Sequence, residues 1–165
     1  MILDGSEMNG SGWQFTGKNL KIDFFPLLEA EHIIPNNNMA LISINDPDMS
    51  NHIPYEFWAH KITLKFHDID TGEKDKGILF KKSMARELIQ FVLDLPPNIN
   101  YIVIHCFAGI CRSGAVARFL QKHIYPSCFN ETFWMKYMIY NRMVYTTLEN
   151  VWVEEFMDKN PRGDK

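Results

Sequence analysis

The sequence predicts an α/β fold with a central, mainly parallel sheet of four to five strands flanked by helices, on three observations. Short apolar or β-branched runs alternate with segments of helical period, the pattern of strand-helix-strand units. Residues 39–44 form one continuous apolar run, Met-Ala-Leu-Ile-Ser-Ile, which reads as a strand. Residues 101–106, Tyr-Ile-Val-Ile-His-Cys, run through a short glycine-containing stretch into a segment with Val116, Phe119, Leu120 and Ile124 on one helical face. A tight loop at the carboxyl end of such a strand is where open α/β sheets bind their ligands.

Each element follows in chain order. Residues 1–19 are rich in Gly, Ser and Asn and show little periodicity, so they read as an irregular leader, with Trp13 and Phe15 as its candidates for packing on the body. Residues 20–165 form the single domain. Residues 20–25 alternate as a first strand, and residues 26–34 read as a short helix opened by Pro26 at its first position and stopped by Pro35 and an Asn-rich turn. The apolar strand 39–44 ends in the turn Asn45-Asp46-Pro47-Asp48. Residues 59–66 form a weaker, half-exposed third strand, and the polar stretch 67–77 carries Asp68, Asp70 and Asp75. Residues 78–95 follow as a helix whose Leu79, Met84, Leu88, Phe91, Val92 and Leu95 make a stripe for the core. Tyr125-Pro126 breaks the pattern after the central unit, and residues 131–157 read as one or two aromatic-rich helices.

At 165 residues the chain is long enough for one proper core, and 46% hydrophobic and 13% aromatic content is globular. A net charge of −3 gives no general attraction to nucleic acid or anionic membrane. No run of about 18 apolar residues is present, and the start lacks the basic-then-apolar order of a signal peptide, so a cytoplasmic location is expected. Three cysteines, Cys106, Cys111 and Cys128, make no disulfide framework and suit a reducing compartment. His32, His52, His60, His67 and His123 lack ligand spacing, so no metal site is expected.

The chemistry concentrates in residues 105–114, His-Cys-Phe-Ala-Gly-Ile-Cys-Arg-Ser-Gly. Backbone N–H groups of a tight loop and of the next helix's first turn converge on one spot, and the guanidinium of Arg112 matches two oxygens of a tetrahedral oxyanion. Phe107, Ala108, Gly109, Ile110, Cys111 and Arg112 would form that phosphate cradle, with Cys106 on its floor. A thiol of pKa about 8.5 falls to roughly 3.5 to 7.5 at a helix N-terminus beside a cation, so Cys106 is expected as a thiolate aimed at phosphorus. A Walker-type NTPase loop is excluded: Gly109 and Gly114 have its spacing, but Ala115 stands where the lysine must be.

The Cys-x5-Arg spacing alone is weak, but His105 before it, Gly109 within it and Ser113-Gly114 after it fall between a strand and a helix. The stretch resembles the His-Cys-x5-Arg-Ser/Thr signature of the protein tyrosine phosphatase superfamily, and residues 105–117 look most like the dual-specificity branch and its small bacterial and phage-type members. Residues 39–47 also resemble those members' second strand and turn, and Asn141-Arg142-Met143-Val144-Tyr145 their closing Pro-Asn-x-x-Val-Tyr element without its proline. The resemblance spans residues 20–151, is strong only at the signature, and implies a dual-specificity-phosphatase-like catalytic domain with a phosphatase-type phosphate-binding loop and no cofactor.

It also implies roles. A general acid must protonate the leaving oxygen and later activate water. Asp68 is the first candidate because residues 64–68, Leu-Lys-Phe-His-Asp, resemble the family's strand into its acid; Asp70 is second and Asp46 third. Ser113 would hydrogen-bond the sulfur of Cys106 or cap the helix. His105 would orient the loop from behind. His67 is a solvated loop residue or a neighbour that tunes Asp68. Cys111 is a departure from the usual small residue, there to fill a small space or to trap oxidised Cys106 as a disulfide.

The expected function is a cysteine-dependent phosphomonoesterase acting on phosphotyrosine, with phosphoserine and phosphothreonine open to a shallow pocket, through a cysteinyl-phosphate intermediate. Its partner is a phosphorylated protein or a small phosphomonoester; the oligomeric state is not readable. Two alternatives stand. One is the same chemistry on an inositol phosphate, phospholipid or RNA 5′ phosphate, although relatives with such substrates tend to carry lysines in the loop and residues 107–111 have none. The other is a non-catalytic phospho-binding module, although such relatives usually lose the cysteine or arginine. A rhodanese-like transferase lacks the Arg-Ser ending.

Overall fold

The computed structural model describes residues 6–9, 12–15, 19–50, 53–70 and 77–159. The body is an α/β domain built on a four-stranded, all-parallel sheet of β3 (Lys21–Pro26), β4 (Met39–Asn45), β5 (His60–Lys65) and β6 (Tyr101–Cys106) in the order β3-β6-β4-β5. Within the leader, β1 (Ser6–Asn9) pairs antiparallel with β2 (Gly12–Phe15), a short ladder in a stretch expected to be irregular. The packing expected of Trp13 and Phe15 lies outside the described side chains, and His52 and Asp75 lie outside the described residues.

Strand periodicity sorts the two faces of the sheet. Ile42, Ile44, Ile102, Ile104 and Cys106 face the larger core, shared with α2 (Lys82–Leu93), α3 (Arg112–Phe119) and α5 (Arg142–Val151). Met39, Leu41 and Val103 face a smaller one, covered by Ala30 of α1 (Leu27–Ala30) together with Ile53 and Trp58. Both faces of β4 are therefore covered, which is why its burial is continuous while edge strand β5 alternates. Leu88 and Ile89 of α2 and Leu148 of α5 are fully buried, and truncating any of them to Ala is worth about 2–5 kcal/mol. α3 continues as a wider π turn (Leu120–Ile124), and α5 does the same (Trp152–Phe156). The last helical region divides into α4 (Glu131–Lys136) and α5.

Two helix starts differ from expectation for local reasons. Pro26 is the residue before α1 rather than its first, with extended ψ of 155°, and the helix is a single turn. Leu27 N–H donates to Phe107 O at 3.1 Å, so the start of α1 is used to brace the loop after β6. α2 begins at Lys82 rather than at residue 78. The backbone of Ile78 is already engaged: its carbonyl accepts from His67 N–H at 2.8 Å and its N–H donates to His67 Nδ1 at 2.9 Å. His67 thus closes the β5–α2 loop, a role other than tuning Asp68.

Candidate active site

Parallel strands put all four carboxyl ends at one edge, so Pro26, Asp46, Phe66 and Cys106 arrive together although they are far apart in sequence. The loop of residues 107–111 joins β6 to α3 there. Gly109 has φ of +66°, and a Cβ at this position would lie 2.1 Å from Pro26 N and 2.4 Å from Phe25 C. Both obstacles are backbone, so only glycine lets the loop curl against the β3–α1 corner.

Three of the loop's carbonyls are bonded to the scaffold. Phe107 O accepts from Leu27 N–H; Ile110 O accepts from the Tyr137 hydroxyl at 2.9 Å; Cys111 O accepts from Asn141 N–H and Ala115 N–H, both at 3.0 Å. The backbone N–H groups from Phe107 to Arg112 donate to no backbone carbonyl among the described residues. Successive backbone N–H groups that donate to no backbone carbonyl are the kind of donor set that can meet an anion.

Cys106 is 1% exposed, and its Sγ lies 3.1 Å from the Oγ of fully buried Ser113. Ser113 occupies the first turn of α3, where its hydroxyl can donate to sulfur rather than serve as helix cap; Cys111 is the cap position, with no side-chain capping bond. Arg112 opens α3 and is 3% exposed. Its Nη1 donates to Asp46 Oδ1 and to Phe66 O, each at 2.7 Å, and its Cζ lies 5.8 Å from the Phe66 ring centroid. Its buried Nε has no hydrogen-bond partner among the described residues. The ends of β4 and β5 thus hold one corner of the guanidinium and leave the Nε edge, the one suited to bidentate contact, to other use.

Among the acid candidates, the structure separates the three aspartates. Asp46 Oδ1 is ion-paired with Arg112 Nη1 at 2.7 Å. Asp68 is exposed and accepts from Asn141 Nδ2 at 2.8 Å, the residue whose N–H donates to the loop carbonyl of Cys111. Asp70 is exposed two residues further on. Burial, and after it the Asp68 carboxylate, push the Cys111 thiol up, so Cys111 is a protonated neighbour of the acid candidate rather than a ready nucleophile.

Asn141, which the sequence marks only as the start of the closing Asn-x-x-Val-Tyr element and without a role, ties three parts of the site together. Its Nδ2 donates to Asp68 and to Ile69 O at 3.1 Å, its N–H donates to Cys111 O, and its Oδ1 caps α5 through Val144 N–H at 3.0 Å. Behind the loop, His105 is fully buried on the smaller-core face, and the register places Ser43 opposite it. Ser43 Oγ lies 2.6 Å from His105 Nε2 and 2.5 Å from the Tyr55 hydroxyl, and Asn45 Nδ2 donates to it at 3.0 Å. Burial above all holds the imidazole pKa down to about 4; the Cys106 backbone opposes this and Arg112 reinforces it. The signal for this network was in the sequence, as polar Ser43 and Asn45 at alternate positions of an otherwise apolar strand.

No cluster of His, Cys, Asp and Glu suited to a metal occurs among the described residues, and no helix there is long and apolar enough to cross a membrane. Neither a family model nor a curated protein sequence matches the chain.

Proposed function

We propose that the protein is a cysteine-dependent phosphomonoesterase of the protein tyrosine phosphatase type. One observation carries the reading: Arg112 is clamped by Asp46 and Phe66, and its Nε, without a hydrogen-bond partner among the described residues, belongs to the end of the same loop that has Cys106 at its base. A buried cation with a free bidentate edge, beside uncommitted amides and a thiol, is matched to a phosphoryl group.

In the first step the Cys106 thiolate attacks phosphorus, the S–P bond forms and the P–O bond to the alcohol or phenol breaks. Asp68 gives its proton to the departing oxygen, while Arg112 and the loop amides hold the charge on the equatorial oxygens. In the second step Asp68, now a carboxylate, takes a proton from water as that water attacks phosphorus. The S–P bond breaks, inorganic phosphate leaves and the thiolate returns, with Ser113 donating to the sulfur at 3.1 Å as its charge reappears.

Phe107 and Ile110 are 55% and 40% exposed on the loop, so its outer face is apolar and carries no cation for further phosphates. This supports a singly phosphorylated side chain in a protein, phosphotyrosine first with phosphoserine and phosphothreonine also admitted, over inositol polyphosphates or RNA ends. Three free cysteines support work in a reducing compartment such as the cytoplasm. The test is turnover of p-nitrophenyl phosphate: the parent should release p-nitrophenol and Cys106→Ser should release none. Equal turnover by Cys106→Ser would end the reading.

A further inference from the structure

A peptide group is planar and trans, so its C=O and the N–H of the following residue point in opposite directions. A bond to a loop carbonyl from outside therefore aims the next amide away from the residue that makes the bond. Three such anchors act on the loop. Leu27 N–H on Phe107 O directs the N–H of Ala108, Asn141 N–H on Cys111 O directs that of Arg112, and the Tyr137 hydroxyl on Ile110 O, at 2.9 Å, directs that of Cys111. The first two anchors are main chain and belong to the starts of α1 and α5. Of the three, Tyr137 alone acts through a side chain, so its anchor can be removed without altering a backbone donor.

The Tyr137 ring is held where this bond needs it. Edge-on contacts place it 5.3 Å from the Phe24 ring centroid and 5.6 Å from that of Trp134, and it stacks on Phe133 at 5.4 Å. On the side of α3 it rests against Gly114, where a Cβ would come within 3.2 Å of Tyr137 Cε1. The glycine after Ser113 thus leaves room for the ring to lie over the first turn of α3 and reach the loop. Burial, with Cys111 and Cys106 adding to it, pushes the Tyr137 hydroxyl up to about 12, so it keeps its proton and is a donor at neutral pH.

We propose that Tyr137 is a positioning residue for the bound anion: by holding Ile110 O from outside, its hydroxyl fixes the Ile110–Cys111 peptide so that the Cys111 N–H meets the phosphoryl oxygens. The proposal rests on the reading of the loop as a phosphoryl cradle, and its test needs no turnover.

The chain has three cysteines, so protein labelled with heavy nitrogen at cysteine gives three backbone amide signals, and that of Cys111 is the one lost in Cys111→Ser. Inorganic phosphate titrated into the parent should move the Cys111 signal downfield and give a Kd. Tyr137→Phe keeps the ring and loses the hydroxyl. In it the Cys111 displacement should shrink and the Kd rise roughly threefold, toward the low end for one hydrogen bond because this one lies at the surface. Its kcat/KM for p-nitrophenyl phosphate should fall by at least the same factor. Phe133→Leu loosens the same aromatic cluster without touching the hydroxyl; it should lower the melting temperature and leave the phosphate Kd close to the parent's. An equal rise of Kd in Phe133→Leu would assign the effect to packing and overturn the proposal. So would a Tyr137→Phe protein with a lowered melting temperature but the parent's Kd and Cys111 displacement, or a parent in which phosphate leaves the Cys111 signal unmoved. If the parent binds phosphate in this way and turns over no phosphomonoester, the catalytic reading fails and the role of Tyr137 stands.

Discussion

Replacing Asp46 by Asn separates a positioning role from an acid role at one atom's cost. The Asp46 Oδ1 to Arg112 Nη1 contact is 2.7 Å, and Asn keeps an oxygen there while removing the charge. A hydrogen bond to a charged partner contributes roughly 1.5–3 kcal/mol against about 1 for a neutral one. Asp46 has a side chain 26% exposed and Nη1 keeps its bond to Phe66 O, so the low end applies, a net loss of about 1 kcal/mol. For a chain of this size that lowers Tm by about 2–4 °C. The guanidinium would also lose part of its fixed direction, and a loss of about 1.4 kcal/mol of transition-state stabilisation is tenfold in kcat/KM. The assay pairs a thermal melt with kcat/KM for p-nitrophenyl phosphate across pH. Both limbs of the pH profile should stay in place, since Asp46 moves no proton in this mechanism. Disappearance of one limb, or an unchanged melt together with unchanged kcat/KM, would refute the assignment of Asp46 as the holder of Arg112.

Three further outcomes follow from the geometry. His105 has a folded pKa of about 4 against an ordinary 6.5, so the unfolded chain takes up its proton first on acidification. Its contribution to stability is complete above pH 6.5 and is lost as pH falls toward 4, a slope summing to about 3 kcal/mol in denaturant titrations that His105→Asn should flatten. Gly109→Ala puts a methyl against the backbone of Phe25 and Pro26 at positive φ; turnover should fall more than about tenfold with the fold intact by circular dichroism, and parental activity would contradict the close approach. Asn141→Asp keeps the oxygen that caps α5 but exchanges the donor to Asp68 for a negative charge. It should lower Tm, because a buried carboxylate would face both Asp68 and Ile69 O, and slow alkyl phosphates more than p-nitrophenyl phosphate, while Asn141→Ala should lose about 1 kcal/mol of capping without adding that charge.

How much of this was legible beforehand depended on distance along the chain. The strand 39–44, the unit 101–106 with its following helix, and the weak edge character of residues 59–66 were readable because periodicity and side-chain type are local properties. The residues Cys106, Gly109, Arg112 and Ser113 were readable because the loop that needs them is continuous. The partners of those residues were not. Asp46 meets Arg112 only because β4 and β6 pair in parallel register, and Asp68 meets Asn141 only because α5 begins beside the loop. Nothing local to residues 45–48 shows that Asp46 pairs with the arginine. The late start of α2 likewise depends on His67 capturing the backbone of Ile78, a contact that no helical pattern in residues 78–81 reveals.

The central claim is that sulfur takes a phosphoryl group in the cradle after β6, and rapid acid quenching of a reaction with p-nitrophenyl phosphate tests it most directly. Mass spectrometry of the quenched digest should find one phosphoryl group on the peptide bearing Cys106, more of it in Asp68→Asn because breakdown of the intermediate is slowed, and none in Cys106→Ser. Turnover with the phosphoryl group on any other residue, or with none on the protein at any time, would contradict the account.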